Sequence, residues 1–329
     1  MVEITLPKKD IITRKDVEKV LNNTSDEVKV IIPNGVKAIG VKAFNNCSSI
    51  HDIVISDTVK EIKNYAFTNC SQLKKINLPD SVSKTGEYAF ISCKSLKKII
   101  LSNSIQKINC GTFWGCSSLK EIQIPDSVTE IGSSAFAECK SLQNINIPNS
   151  VTKIGYAAFS RCTSLKTIII PNSVIEIQDE TFLYCTSLEK IVMPNSITKI
   201  GKHAFSVCTS LKKINISDSV KKIEAYAFLR CKSLQKVILP NSIAEIQEGV
   251  FGDCTSLKNI IIPNSVKKIE DVAFGGCTSL KKIVIAPNVK SIDEETFEEC
   301  WNLETIKVSK ATELPPEGFY GCSAVIEQY

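Results

Sequence analysis

Histidine is nearly missing from this chain: His51 and His203 are the only two in 329 residues. The fourteen cysteines include no C-x-x-C pair, which argues against a zinc ribbon or a thioredoxin-type centre. No run of about 18 apolar residues is present for a membrane span, so no membrane insertion is expected. The opening MVEITLPKKD also lacks the basic, apolar and small-residue succession of a signal peptide. Many cysteines without such a leader favour a reducing compartment, so a cytoplasmic location is expected. The 14 glycines form neither a Walker-type nor a Rossmann loop, which leaves cofactor binding without support. A net charge of +5 with mixed signs is too small to imply a nucleic-acid partner by bulk electrostatics.

What the chain does have is a repeat. The segment Asn149 to Pro171, NSVTKIGYAAFSRCTSLKTIIIP, recurs on both sides, and cysteine returns every 23 residues at 47, 70, 93, 116, 139, 162, 185, 208, 231, 254, 277 and 300. A fixed period overrides the usual length prior, so the chain reads as one quasi-linear array rather than as two or three domains. All thirteen phenylalanines, from Phe44 to Phe319, stand three places before a repeat cysteine. That is a structural column, because no functional demand would recruit every phenylalanine. Leucine follows the cysteine by three from Leu73 to Leu303.

The segment L-x-x-I-x-I ends in period-two alternation and reads as a short strand with one buried face. Pro-Asn-Ser or Pro-Asp-Ser then stops it, since proline has no N–H for a ladder and Asn, Asp and Ser favour turns. One strand per 23 residues leaves no room for a βαβ crossover, so the chain must coil, stacking strands at about 4.8 Å. A second apolar pair, Val151 and Ile154 in the quoted unit, forms the opposite wall. Glycine follows that isoleucine at 40, 132, 155 and 201, and follows Thr85 in its place at 86, where it marks a bend. Other residues take that place in other units, so the bend cannot demand positive φ throughout.

With I-G-x-x-A-F-x-x-C joined to L-x-x-I-x-I-P, the chain resembles the BspA-like leucine-rich repeat family from residue 28 to about residue 325. The resemblance implies a leucine-rich repeat solenoid, a right-handed coil of about 12–13 repeats. Its parallel β-sheet would line the concave face, with short strands and turns on the other side. It also implies a recognition protein, family members being commonly surface or secreted adhesins that bind host proteins, which is the alternative to a cytoplasmic location. Residues 1–27 are expected to form an N-terminal cap with a short helix: Thr13 and Asp16 resemble a capping box ahead of Val17, Val20 and Leu21. Residues 28–308 hold the repeats, and 309–329 form a degenerate C-terminal repeat, Cys322 following Cys300 by 22. The chain stops where a final strand is expected to begin. The last coil should therefore be poorly sealed and open to self-association.

The cysteine series admits three readings. Metal binding needs tetrahedral clusters, whereas stacking puts one sulfur per coil in a file. Disulfides are nearer in distance, but parallel Cβ vectors give poor geometry. The favoured reading is a small buried hydrophobe whose S–H donates weakly to a turn carbonyl. Cys110 lies off the column and is expected at the surface. His51 and His203 lie more than six coils apart, roughly 30 Å at about 4.8 Å per coil, and cannot share a site. No catalytic constellation emerges, so the chain is read as a non-enzyme.

The places four, five and seven after each cysteine should face outward on the sheet. The first two hold thirteen lysines against Asp52, Glu121, Glu189 and Glu304, an excess greater than the charge of the whole chain. The third holds Val54, Ile100, Ile169, Val192, Ile238, Ile261 and Val284 among Asn77, Gln123, Asn146, Asn215 and Lys307. The candidate binding residues are Lys166, Ile169, Lys190, Val192, Lys212, Lys213, Lys236, Ile238, Lys258, Ile261, Lys281, Lys282 and Val284. An outward row of aliphatics flanked by lysine stems fits a protein partner with an acidic and apolar surface. Strand propensity and solvated lysines would produce the same pattern without any partner. A lysine ladder also fits a polyanionic glycan. Nucleic acid would call for arginine and stacking aromatics, and these three places hold neither.

Overall fold

The computed structural model describes residues 1–21, 27–316 and 319–329. Parts of the expected cap and last repeat, at 22–26 and 317–318, lie outside them. The chain forms two compact units, Met1–Leu165 and Lys166–Tyr329. Each is a stack of parallel coils, the leucine-rich repeat solenoid expected from the repeat.

Nearly every coil contributes one three-residue and one two-residue strand. In the first unit Lys75–Asn77 pairs with Lys98–Ile100, and Glu121–Gln123 with Asn144–Asn146. In the second, Thr167–Ile169 pairs with Lys190–Val192, and Lys213–Asn215 with Lys236–Ile238. Partners stand 23 residues apart, as in Lys75 with Lys98, so the sequence period is the register itself. The central residue of each such strand is buried and its two neighbours are exposed, which the alternation dictates. The opposite wall holds strands such as Lys199–Ile200 and Lys222–Ile223, with Ile200 and Ile223 buried.

The phenylalanines fill the interior. Twelve are fully buried, and adjacent rings stack nearly parallel, with centroids 5.4 Å apart at Phe205–Phe228 and 5.6 Å at Phe228–Phe251. Phe319 breaks the series by meeting Phe297 edge-on, at 87°. The column cysteines are buried and unbridged. Cys47 Sγ turns to Asn45 O of its own turn, whereas from Cys70 onward each column thiol bond found runs to the phenylalanine carbonyl of the preceding coil: Cys231 Sγ donates to Phe205 O at 3.2 Å, and Cys139 Sγ to Phe113 O at 3.2 Å. The weak thiol donor expected from sequence thus spans coils rather than closing its own turn.

Serine has the same use. Ser150 Oγ donates to Val128 O and Ser196 Oγ to Val174 O, both at 2.7 Å, so the Pro-Asn-Ser motif also fastens one coil to the last. Ser265 Oγ is the exception, a buried hydroxyl oxygen with no partner among the described residues.

The turn around each phenylalanine needs left-handed backbone five places and one place before the cysteine, as at Tyr226 (φ 60°) and Arg230 (φ 59°). Sequence reasoning missed these positions, because Lys, Tyr, Ser, Glu and Val fill them as often as Gly or Asn do. Glycine after the isoleucine has a different purpose. A Cβ at Gly201 would stand 2.5 Å from the Asp179 backbone nitrogen, so it permits close approach of coils, not positive φ.

Val2–Thr5 and Ile11–Ile12 pair with Val28–Ile32 and Ala38–Ile39, and the helix Arg14–Leu21 follows. Asp16 accepts hydrogen bonds from the Thr13 N–H (3.0 Å), which is one half of the expected capping box, and from the Thr13 hydroxyl (2.6 Å); the Asp16 N–H donates to the Thr13 carbonyl rather than to that hydroxyl. Arg14 Nη1 donates to Asn45 O and lies 3.3 Å from Cys47 Sγ, occupying the first cysteine that has no preceding phenylalanine carbonyl. At the other end the expectation that the chain stops short of a final strand is corrected. Val325–Gln328 pairs with Thr305–Val308, Thr305 opposite Val325, because the shortened last unit brings the strand forward. All four of its residues are exposed.

Candidate recognition surface

In the second unit the three-residue strands present their flanking residues to solvent because each central isoleucine or valine is drawn inward. The aliphatic row is exposed throughout: Ile169 64%, Val192 41%, Ile238 57%, Ile261 81% and Val284 47%. Lys166, Lys190, Lys212, Lys213, Lys236, Lys258, Lys281 and Lys282 are exposed beside it.

These eight lysines form no ion pair among the described residues, whereas lysines of the two-residue strands do. Lys199 and Lys222 reach Glu224 at 3.1 and 2.9 Å, and Lys268 reaches Asp293 at 3.2 Å. In the first unit the Lys107 ammonium, with Lys153, holds the Glu130 carboxyl below its ordinary range. On the three-residue-strand wall Lys75 pairs with Asp52 at 3.3 Å and Lys307 with Glu327 at 2.8 Å. The eight lysines beside the aliphatic residues keep their charge for whatever approaches.

The sheet is also not smooth. Asn259 and Ile261 make only isolated bridges, to Lys236 and Val284, and the Lys258 N–H is 3.5 Å from Gln235 O. At this step a cavity of about 620 Å³ opens, bounded by Lys236, Ile238, Leu239, Lys258, Ile260, Ile261 and Pro263. A second, of about 550 Å³, lies among Lys190, Val192, Met193, Lys212 and Lys213. Lys281 borders a smaller one with Lys258 and Asn302. Lys166, Ile169, Lys282 and Val284 lie on the same face outside these three cavities. Sequence reasoning overlooked Leu239 and Pro263 as lining residues. Their signal was present, since both flank the turn that ends each strand.

Other groups offer little chemistry. His51 Nδ1 lies 3.0 Å from Ser49 O and its Nε2 3.3 Å from Glu27, while His203 stacks on Tyr226 at 5.0 Å. Burial pushes the Cys231 and Cys300 thiols up to about 12, which suppresses thiolate reactivity. A column shielded in this way weakens cysteine count as a guide to compartment. Cys110, expected at the surface, is half-buried: its thiol donates to the Tyr88 hydroxyl at 3.2 Å because the Tyr88 ring lies across Gly111. Tyr65 stacks face-to-face on Tyr88 at 5.1 Å with Lys42 over its outer face, so these rings offer no free platform for a base or sugar. Among the described residues no group of three or more His, Cys, Asp or Glu is placed to hold a metal ion, and no helix is long and apolar enough to cross a membrane.

The chain is similar in structure to a leucine-rich repeat protein of Bacteroides ovatus, with 30% identity, a TM-score of 0.82, and 100% of this chain matched to 92% of that one. A leucine-rich cell surface protein of Faecalibacterium prausnitzii aligns at 29% identity and TM-score 0.63, covering 98% and 91% of the two chains. The pneumococcal vaccine antigen PcpA, at 21% identity, TM-score 0.59 and 94% and 78% coverage, shares the fold. No curated protein sequence matches. The model of the BspA type leucine rich repeat region matches residues 18–139, 106–235 and 199–326, and with the stacked 23-residue coils it places this chain in the BspA-type leucine-rich repeat family.

Proposed function

We propose that the chain is a non-catalytic recognition scaffold that binds a protein partner with an acidic and apolar surface on the three-residue-strand face of its second unit. Proteins of this repeat family are generally interaction or adhesin-like scaffolds. The observation that carries the finer reading is the set of exposed aliphatics Ile169, Val192, Ile238, Ile261 and Val284, flanked by lysines that form no ion pair among the described residues. Apolar anchors would give such a contact its energy, and the unpaired lysines would steer it and fix its register. A surface or secreted location suits this reading, as does the cell surface protein among the structural neighbours. The unpaired lysines also support a second reading, a sulfated glycan held by the ladder alone; the absence of arginine and aromatics at these places leaves nucleic acid the weaker polyanion.

The test is capture by immobilised protein from extracts of candidate host cells. Ile238→Glu with Ile261→Glu should abolish specific capture while the circular dichroism spectrum stays unchanged. Equal capture by both proteins would refute an apolar site for a foreign protein on this face. Heparin that displaces every ligand from wild-type protein and the variant alike would favour the glycan reading.

A further inference from the structure

The second unit also carries the chemical counterpart of this face. Residues 293–304 hold six carboxylates and no lysine or arginine. Glu294, Glu295 and Glu299 are exposed and form no ion pair among the described residues. Trp301 stands directly after the repeat cysteine, a place that Ser, Thr or Lys fills in the other coils. It is 65% exposed. A large indole left in water beside unpaired carboxylates serves no interior purpose, whereas tryptophan is enriched among the energetic anchors of protein interfaces.

We propose that the occupant of the lysine-rich face is a second copy of this chain, whose Trp301 enters the cavity between Ile238 and Ile261. The cavity, about 620 Å³, has an apolar floor of Leu239, Ile260 and Pro263. That is within the range that takes a compact apolar group, about 300–1,000 Å³. Lys236 and Lys258 stand at its rim, where carboxylates flanking Trp301 meet opposite charge. Each copy thus offers an anchor and a slot built from different residues. This inference rests on the proposed recognition face and names its partner. The pairing is electrostatically assisted at an exposed rim, so salt should weaken it.

Sedimentation velocity at low ionic strength tests it. Wild-type protein should show a mass that rises with concentration above that of one chain and falls back in about 0.5 M salt. Trp301→Ser, which removes the anchor, and Ile238→Glu with Ile261→Glu, which closes the slot, should each sediment as single chains. Lys236→Glu with Lys258→Glu, both exposed, is a second slot variant should the first disturb packing. An equimolar mixture of the anchor variant and a slot variant should regain association, because one still has the slot and the other the indole. Wild-type protein that stays a single chain at every concentration overturns the inference. So does undiminished association of Trp301→Ser, or a mixture no heavier than its components. If wild-type protein does not self-associate while Ile238→Glu with Ile261→Glu still loses a foreign partner, the second-copy inference alone fails. If capture is unaffected and the mixture associates, only recognition of a foreign protein fails.

Discussion

Truncating one interior phenylalanine should be costly, and the structure says how costly. Phe228 is fully buried, stacked between Phe205 at 5.4 Å and Phe251 at 5.6 Å. Its backbone is held independently: the N–H donates to Val250 O at 2.9 Å, and the carbonyl accepts the Cys231 N–H at 3.1 Å and the Cys254 thiol at 3.3 Å. In Phe228→Ala those bonds persist and keep the neighbouring coils from closing on the void. The loss should therefore fall in the upper part of the range for buried phenylalanine, about 4–5 kcal/mol. Urea unfolding followed by circular dichroism would read this as a midpoint lower by about 1.6–2 M, taking a slope of about 2.5 kcal/mol per M. Lys236→Ala, an exposed change in the next strand, should move it by no more than about 0.5 kcal/mol. A Phe228→Ala shift no larger than that of Lys236→Ala would refute the stacked column as the source of stability.

Two further outcomes are expected. A thiol reagent should find at most the two half-buried cysteines, Cys110 and Cys322, in folded protein and all fourteen after denaturation; rapid reaction of a column cysteine in the folded state would contradict the shielding. The Asp16 carboxyl is held down to about 2 by hydrogen bonds from Lys9 and Thr13, below the unfolded value of about 3.9. Its contribution is present above the unfolded value and is lost as pH falls through the folded one, so the N-terminal helix should weaken between about pH 4 and pH 2. Asp16→Asn should flatten that acid limb in a plot of melting temperature against pH, and an unchanged limb would assign it elsewhere.

Much of the fold was readable from the chain because the repeat is one-dimensional. When coils stack, equivalent residues lie one above another, so a 23-residue period is at once a register, a column and a burial pattern. Phe159, Cys162 and Leu165 could be placed inward, and Lys166 and Ile169 outward, without coordinates. Turn geometry was less accessible. Tyr226 and Arg230 adopt left-handed backbone that their side chains do not announce, because inter-coil bonds such as Phe228 N–H to Val250 O outweigh the local preference. The last strand was misplaced for a related reason: a shortened loop moved its pairing forward, and the motif count could not show where pairing resumes.

The candidate site divides along the same line. Periodicity alone determined which side chains leave the core, since alternation in a short strand admits only one inward set. Only the tertiary structure decided what those side chains meet. Lys199 and Lys222 share Glu224 because the opposite wall sets their side chains within reach of it, whereas Lys236 and Lys258, the same residue type, stand around a cavity with no ion pair among the described residues. Charge pairing and cavity formation depend on distances of a few ångströms between coils 23 residues apart, set by how neighbouring coils pack.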